Sequence, residues 1–271
     1  KLKDMNFVIA LRNEARPLVE KFKLSKISDN PFPLFGNKHH RLIISGIGRI
    51  SSAAATGYLL GKMQFRPEPI INFGLAGHGE FKVGDLFLAN RIFHEQEKNT
   101  HYPPQLLKTG IPSSALQTCD LAESNYLEKI GYDMEAHAFC TVSYKPITRE
   151  LLQVLKLVSD NPIEPLSGFD PQIASKLIYQ QINEIEAVVM EIDSIASEIQ
   201  PHAVLLEIMS QAESKLHFSE TQRHQLSKLI IQSISLGLEK SDLIFLISSS
   251  RNSRVLLDKI TKKLEPLRIL K

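Results

Sequence analysis

The sequence has few of the features that mark secreted, membrane and disulfide-rich proteins. It contains only two cysteines, Cys119 and Cys140, which are too few for a disulfide framework and form no Cys-x-x-Cys pair. No apolar run approaches the roughly 18–20 residues that cross a bilayer. The N-terminus also lacks the charged, apolar and small-residue regions of a signal peptide. We therefore expect a cytoplasmic protein that has no membrane partner.

An excess of charge of one sign is absent as well. The chain has 32 Lys and Arg and 30 Asp and Glu, for a net charge of +2. No basic stripe is long enough to bind nucleic acid, and the densest basic cluster, in residues 259–271, is typical of a solvated helix face. The histidines show no metal-ligand spacing, and no serine nucleophile elbow is present. We therefore expect no nucleic-acid partner, no metal and no cofactor.

Glycine nearly disappears after about Pro165, where only Gly168 and Gly237 remain. Before that point, short apolar runs alternate with helical stretches, which is typical of an α/β sheet covered on both faces. After it, the apolar residues follow helical spacing. The sequence therefore predicts an α/β domain in residues 1–200, with a mixed central sheet flanked by helices, and a helical C-terminal extension in residues 201–271.

The expected elements follow from these runs. The predicted strands are Met5–Ala10, Arg41–Ser45, Glu68–Phe73, Asp85–Ala89 and Leu151–Val158. The first helices are predicted at Arg12–Lys23 and Ser51–Met63, the second capped by Ser51 or Ser52. One long helix, Ile173–Ile192, is expected to end before Pro201. Four more helices are predicted at Ala203–Leu216, Ser219–Leu236, Ser241–Ser248 and Ser253–Leu264, and Ser219 with Gln222 fits a capping box.

Residues able to do chemistry lie at the ends of the predicted strands, where ligands collect in α/β sheets. Glu14 follows the first strand, and it is either a partner of the helix dipole or a functional carboxylate. The glycines of Ser45-Gly46-Ile47-Gly48 allow a ligand to approach the backbone closely. The small residues of Asn72–Gly79 form a predicted loop that turns the chain or presents N–H groups to a substrate.

Two further segments supply carboxylates. Glu135 opens a helix directly after a short strand, so its carboxylate is placed to accept hydrogen bonds from a sugar diol. Met134 is suited to pack against the flat face of a sugar or base. Asp160 ends an apolar strand, and partial desolvation there would raise the pKa of its carboxyl group, which suits a general acid.

Taken in order, these segments resemble the nucleoside phosphorylase superfamily, and most closely its 5′-methylthioadenosine/S-adenosylhomocysteine nucleosidase branch. The resemblance covers residues 7–160, and the helix in residues 170–197 is similar to the closing helix of that fold. The motifs that carry it are Ser45-Gly46-Ile47-Gly48, Gly74-x-Ala76-Gly77, Lys82-Val83-Gly84-Asp85, Asp133-Met134-Glu135-Ala136 and Ser159-Asp160.

The resemblance implies a role for each matched position. Asp160 would protonate N7 of the departing purine, and Glu14 would activate the attacking water. Glu135 would accept hydrogen bonds from the ribose diol, with Met134 beside the sugar. The positions that would line the substrate are Ile47, Ala76, Gly77 and Ser159. The implied partner is a purine nucleoside, and fold relatives imply a homodimer by analogy.

Three hypotheses remain at this point. A nucleosidase is favoured because Glu14 can activate water and because Ile70–Phe73 lacks the arginine that phosphorylases of this superfamily carry there. A phosphorylase is the alternative, with phosphate as a possible partner, since Arg12 and Arg49 could reach an anion. The third is a nucleoside-binding protein without turnover, because Leu75 stands where the nucleosidase pattern has a small hydroxyl residue.

Overall fold

Nine strands in the described part of the chain form one mixed sheet. The computed structural model describes residues 5–63, 68–165, 171–199 and 203–269. The strands are β1 (Met5–Ile9), β2 (Ser25–Ser28), β3 (Leu34–Gly36), β4 (His40–Ile44), β5 (Ile70–His78), β6 (Leu86–Phe93), β7 (Ser113–Thr118), β8 (Gly131–Asp133) and β9 (Leu152–Asp160).

The order of the strands closes part of this sheet into a ring. It runs β2-β3-β4-β1-β5-β8-β7-β6-β9, and β9 pairs a second time with β5. The strands β5, β8, β7, β6 and β9 therefore form a closed ring, from which β1, β4, β3 and β2 extend. Because β4, β1, β5 and β9 are mutually parallel where they pair, their carboxyl ends lie at the same edge of the sheet.

Helices cover both faces of the sheet, as the continuous apolar runs predict. They are α1 (Arg12–Lys21), α2 (Arg49–Lys62), α3 (Ala136–Ser143), α4 (Pro171–Gln180) and α5 (Ile182–Ile199). In β1, Phe7 packs in the core that contains Leu18 and Ile185, whereas Val8 packs in the core that contains Leu59. Neighbouring residues of a strand point to opposite faces, so both faces of β1 are buried. The predicted mixed α/β architecture is confirmed.

A proline in α1 ties this helix to α4. Pro17 has no N–H, so the carbonyl of Asn13, one turn earlier, lacks its helical donor. The hydroxyl of Ser175 donates to that carbonyl at 2.7 Å, which satisfies the freed acceptor. The two helices pack side by side, and the start of α1 is thereby held in place.

The C-terminal part of the chain is helical. Its described residues form α6 (Ala203–Lys215), α7 (Glu220–Ser235), α8 (Lys240–Ser248) and α9 (Ser253–Ile269). They surround a core of their own, in which α7 packs against α9 and α6 against α8. The predicted capping box is confirmed, since Ser219 Oγ accepts from the Gln222 N–H at 3.3 Å and Gln222 Oε1 accepts from the Ser219 N–H at 3.0 Å.

The chain divides into two compact units between Glu198 and Ile199. We keep the assignment of residues 1–200 to a nucleoside phosphorylase-like domain and of residues 201–271 to an extension as a proposal. Along the described part of the chain, no helix is both long enough and apolar enough to span a membrane.

The predicted loop Asn72–Gly79 is wrong, because β5 continues through it to His78. Glycine and alanine have low strand propensity, and for that reason the sequence indicates a loop. Pairing overrides that propensity. Gly74 pairs with Lys156 and Ala76 with Val158, so the backbone of this segment belongs to the sheet.

Two helix predictions also need correction. Ser51 and Ser52 do not cap α2, which begins at Arg49 after Gly48. Ser52 lies inside the helix and donates its hydroxyl to the Glu135 carbonyl at 3.2 Å. The single helix Ile173–Ile192 is two helices, α4 and α5, separated at Gln181.

The break at Gln181 coincides with a long-range contact of its side chain. Its side-chain Nε2 donates to the Gly84 carbonyl at 2.9 Å, a contact that sequence periodicity does not show. Pro201, predicted to end this helix, lies outside the described residues. The antiparallel pair β2–β3 was not among the predicted strands, and β2 is short and mostly exposed, so it lacks an apolar run.

Candidate active site

A cavity of about 300 Å³ opens at the sheet edge where the parallel strands end. This volume is at the lower end of the range that is usual for small-molecule sites. All the residues predicted to act on a substrate line it, and they are Glu14, Ile47, Ala76, Gly77, Met134, Glu135, Ser159 and Asp160. The structure therefore brings together side chains from segments that are far apart in sequence.

The first of these residues, Glu14, joins α1 to β5. It occupies the first turn of α1, and its carboxylate accepts the Leu11 N–H at 3.0 Å and the Leu75 N–H at 3.1 Å. The carboxylate lies against Gly74, since a Cβ at that position would be 3.5 Å from Glu14 Oε2, an ordinary van der Waals contact. Burial raises the pKa of Glu14, and the two N–H donors and the Lys156 charge oppose that rise. Leu75 thus helps to hold the Glu14 carboxylate through its backbone N–H, which does not depend on the identity of its side chain.

Glu135 is held by the glycine-containing turn that precedes α2. Its Oε1 accepts the Gly48 N–H at 2.8 Å. Gly46 and Gly48 have φ values of 83° and 95°, a region that favours glycine. Burial and the nearby Asp133 charge raise the pKa of Glu135 to about 7. The glycines therefore serve to bring a backbone donor to a cavity carboxylate.

A β-bulge aims Asp160 at the cavity. In the pairing of β5 with β9, Ala76 is opposite Val158 and Gly77 is opposite Asp160, so Ser159 is an extra residue. Successive side chains of a regular strand point to opposite faces, whereas a bulge re-aims them. Ser159 and Asp160 both line the cavity as a result.

The Asp160 carboxylate has two hydroxyl partners. Ser159 Oγ donates to Oδ1, and the Tyr126 hydroxyl donates to Oδ2. Burial raises the pKa of Asp160 to about 6. A carboxyl group with that pKa can carry a proton close to neutral pH, as a general acid must.

Tyr126 is a cavity residue that the sequence analysis missed. It lies between β7 and β8 with a φ of 42°, which is uncommon outside glycine. Its ring packs over Gly77, where a Cβ would come within 2.8 Å of Cζ, and it contacts the ring of Tyr132 edge-on at 5.6 Å between centroids. The only signal in the sequence was an aromatic residue in a polar segment between two strands.

Lys156 and Asp133 form a buried ion pair beside these carboxylates. Lys156 Nζ lies 2.8 Å from Asp133 Oδ2, and the two side chains are 1% and 0% exposed. Asp133 also accepts the Thr118 hydroxyl at 2.7 Å and the Ala136 N–H at 2.9 Å. The sequence signal for Lys156 was a single charge within the apolar run Leu151–Val158.

The two arginines proposed as phosphate ligands are engaged elsewhere. Arg12 Nη2 lies 3.8 Å from Asp29 Oδ1, and Arg49 Nε donates to Asp120 Oδ1 at 2.8 Å. Among the described residues that line the cavity, none is arginine, lysine or histidine. The described part of the chain also has no group of three or more His, Cys, Asp or Glu residues arranged to hold a metal ion.

Known proteins resemble this chain in part of their sequence. No family model matches it. An aligned stretch of 62 residues is 40% identical to the 5′-methylthioadenosine/S-adenosylhomocysteine nucleosidase of Marinomonas sp., and covers 22% of this chain and 26% of that protein. A stretch of 111 residues is 32% identical to the 5′-methylthioadenosine nucleosidase of Arabidopsis thaliana, and covers 33% and 42% of the two chains. The chain therefore matches less than half the length of each relative.

Solved structures match over a larger part of the chain. The S. pneumoniae 5′-methylthioadenosine/S-adenosylhomocysteine nucleosidase, solved with a transition-state inhibitor, superposes with a TM-score of 0.57 at 17% identity, covering 69% of this chain and 99% of that one. The Helicobacter pylori futalosine hydrolase gives 0.56 at 16% identity, with 70% and 98% covered. The Arabidopsis nucleosidase gives 0.52 at 21% identity, with 72% and 93% covered.

Over 69–72% of its length, this chain therefore has the fold of these solved structures. The similarity predicted from the sequence motifs is confirmed by the relatives in sequence and by the fold of the solved structures.

Proposed function

We propose that the chain hydrolyses the N-glycosidic bond of a purine nucleoside similar to 5′-methylthioadenosine. One observation carries the proposal: Glu14, Glu135 and Asp160 line a single cavity, and its described lining contains no cationic side chain. Cleavage of this bond develops positive charge on the sugar, which nearby carboxylates stabilise. The relatives that are named nucleosidases and futalosine hydrolase support the same class of reaction.

Asp160 supplies the proton in this proposal. The protonated carboxyl group donates to N7 of the purine, and the electrons of the glycosidic bond move into the base as that bond breaks. Its pKa of about 6, raised by burial, lets the group hold this proton at mildly acidic to neutral pH.

Glu14 is the proposed base for water. Its carboxylate accepts a proton from the water as the water oxygen bonds to the anomeric carbon of the sugar. The Leu11 and Leu75 N–H groups hold the two carboxylate oxygens in place. Glu135 accepts hydrogen bonds from the ribose hydroxyls, and Met134 packs beside the sugar.

A phosphorylase is the second candidate because it shares this fold. It would need cationic donors for phosphate, whereas Arg12 and Arg49 are paired with Asp29 and Asp120. Water is therefore the proposed nucleophile.

The test is the release of free base, measured with and without phosphate. The substrates are 5′-methylthioadenosine, adenosine, inosine and futalosine. Release without phosphate supports hydrolysis, and strict phosphate dependence supports the phosphorylase. Ligand binding with no release from any substrate would contradict both and leave a binding protein.

Two variants show whether the cavity is the site of the release. Asp160→Asn is expected to lower kcat by about 10²–10⁴-fold, which is the usual contribution of a general acid. Asp258→Asn removes a carboxylate that pairs with Lys262 on α9 and is expected to leave kcat unchanged. The homodimer expected by analogy stays a prediction, which light scattering coupled to size-exclusion chromatography would measure.

A further inference from the structure

Lys156 is a buried cation that the proposed reaction does not use. It lies within β9, and its Nζ pairs with Asp133 Oδ2 at 2.8 Å while both side chains are almost fully buried. Burying two charges costs free energy that their attraction repays only partly, so an apolar pair of similar volume would often be at least as stable. The pair therefore calls for an explanation other than stability.

The ammonium end of the pair lies on the side of Glu14. Lys156 is the register partner of Gly74 in β5, and paired residues of neighbouring strands project from the same face of a sheet. The direction in which a Gly74 side chain would project is occupied by Glu14, whose Oε2 would be 3.5 Å from a Cβ there. Lys156 and the Glu14 carboxylate thus share one face of the sheet.

The carboxylate end of the pair lies on the side of Glu135. Asp133 Oδ2 accepts the N–H of Ala136, the residue that follows Glu135, at 2.9 Å. Asp133 and Glu135 are therefore anchored at the same helix start. The ion pair therefore adjoins both cavity carboxylates, and the Lys156 charge acts on Glu135 as well as on Glu14.

Four groups interact electrostatically with the ammonium of Lys156. They are Glu14 from α1, Asp133 from β8, and Glu135 and the Cys140 thiol from the start and the interior of α3. Burial is the largest cause of the raised pKa of both Glu14 and Glu135. At Glu14, Lys156 lowers the pKa by more than Asp133 raises it. At Glu135, Asp133 raises the pKa by more than Lys156 lowers it.

We propose that the Lys156–Asp133 ion pair is a positioning element that divides charge between the two cavity carboxylates, keeping Glu14 anionic and leaving Glu135 able to hold a proton. This use of the pair rests on the proposed function, in which Glu14 must be ionised to accept a proton from water. Lys156 acts through Glu14 and does not touch the substrate.

The test measures the two carboxylates directly, in the full-length protein without substrate. The Glu side chains are labelled with ¹³C at the carboxyl carbon and titrated by NMR, with Glu14→Gln and Glu135→Gln identifying the two signals. In Lys156→Met/Asp133→Asn, we expect the midpoint of Glu14 to rise and that of Glu135 to fall, each by about one pH unit. Lys156→Arg keeps the charge and is expected to leave both midpoints in place.

A second variant covers the case in which the double variant does not fold. Asp133→Asn alone keeps the ammonium, so the midpoint of Glu135 is expected to fall while that of Glu14 does not rise. Unchanged midpoints in the folded variants, with only a lower melting temperature, would overturn the proposal and leave a purely structural pair. Movement of both midpoints in the same direction in the double variant would overturn it as well.

Activity gives an independent readout. If the wild type releases base, the acidic limb of kcat/KM in the double variant should move up with the Glu14 midpoint. If the wild type releases no base from any nucleoside, the proposed function fails, whereas the NMR midpoints still decide the charge division. The two failures are therefore distinguishable.

Discussion

The hydroxyl of Tyr126 donates a hydrogen bond to the carboxylate of Asp160, and both side chains line the cavity. The Ser159 hydroxyl donates to the other carboxylate oxygen. Both oxygens of the proposed acid thus have a hydroxyl partner within the protein. In the proposed reaction, the departing base must therefore compete with the Tyr126 hydroxyl for the Asp160 carboxyl group. Tyr126 would thus affect how readily Asp160 donates its proton.

Removing the hydroxyl in Tyr126→Phe is expected to raise the pKa of Asp160 above its value of about 6. A hydrogen bond to a carboxylate favours the charged form and lowers its pKa, so its loss has the opposite effect. Because Asp160 must be protonated to act, the alkaline limb of kcat/KM should move to higher pH by about one unit. Tyr102→Phe, at an exposed tyrosine, is the control. An unmoved limb would show that Tyr126 does not act on Asp160.

The wild-type pH profile should be bell-shaped, with its optimum on the acidic side of neutrality. Activity falls as pH rises through the pKa of Asp160, about 6, because the acid loses its proton. It falls as pH decreases through the pKa of Glu14, which burial raises above its ordinary value, because the base gains a proton. The measurement is kcat/KM for release of free base. A rate that is constant from about pH 5 to about pH 8 would contradict both assignments.

Glu14→Gln should lower kcat by about 10²–10⁴-fold, the usual contribution of a general base. The amide oxygen can still accept one of the two backbone N–H groups, so the fold is expected to persist, as circular dichroism would show. Glu20→Gln is the matched control, because Glu20 lies on the same helix at its exposed face. Equal losses in the two variants would point to a general effect on α1.

Gly77→Ala should displace the ring of Tyr126. A Cβ at position 77 would lie within 2.8 Å of Tyr126 Cζ, and overpacking of this kind costs about 1–3 kcal/mol. We expect a lower melting temperature and a kcat/KM that is reduced about tenfold, which corresponds to about 1.4 kcal/mol. Gly57→Ala, where the added Cβ meets no atom within 4 Å, is the control. The expectation fails if Gly77→Ala matches the wild type in both measurements.

The sequence was sufficient where the local signal and the tertiary structure agree. The apolar run Met5–Ala10 predicts β1, and the Ser219–Gln222 pattern predicts the start of α7. Most of the predicted cavity residues come together because they lie at or after the carboxyl ends of the parallel strands, which share one edge, whereas Met134 and Glu135 follow β8, which is antiparallel to β5. For these features, periodicity and position in the strand order carry the information.

Features that depend on long-range pairing were missed. Nothing local shows that Gly74 lies within a strand, because its place in the sheet comes from Lys156, which is remote in sequence. Tyr126 enters the cavity through a backbone conformation that is uncommon for tyrosine. The break at Gln181 coincides with a side-chain contact to Gly84, 97 residues away in the sequence. A single sequence identifies neither the sheet partner of Gly74 nor this contact of Gln181.

The extra residue in β9 has a consequence for the tolerance of this chain to deletions. Because Gly77 is opposite Asp160, removing Ser159 would restore a regular register and leave this carboxylate on the face of the sheet that Gly77 occupies. The deletion would remove one of the two hydroxyl donors to the Asp160 carboxylate and leave the Tyr126 hydroxyl as the other. It would therefore change the hydrogen bonding of the proposed acid without changing its side of the sheet. An alignment with a regular strand needs a one-residue gap at Ser159 to keep the acid opposite Gly77.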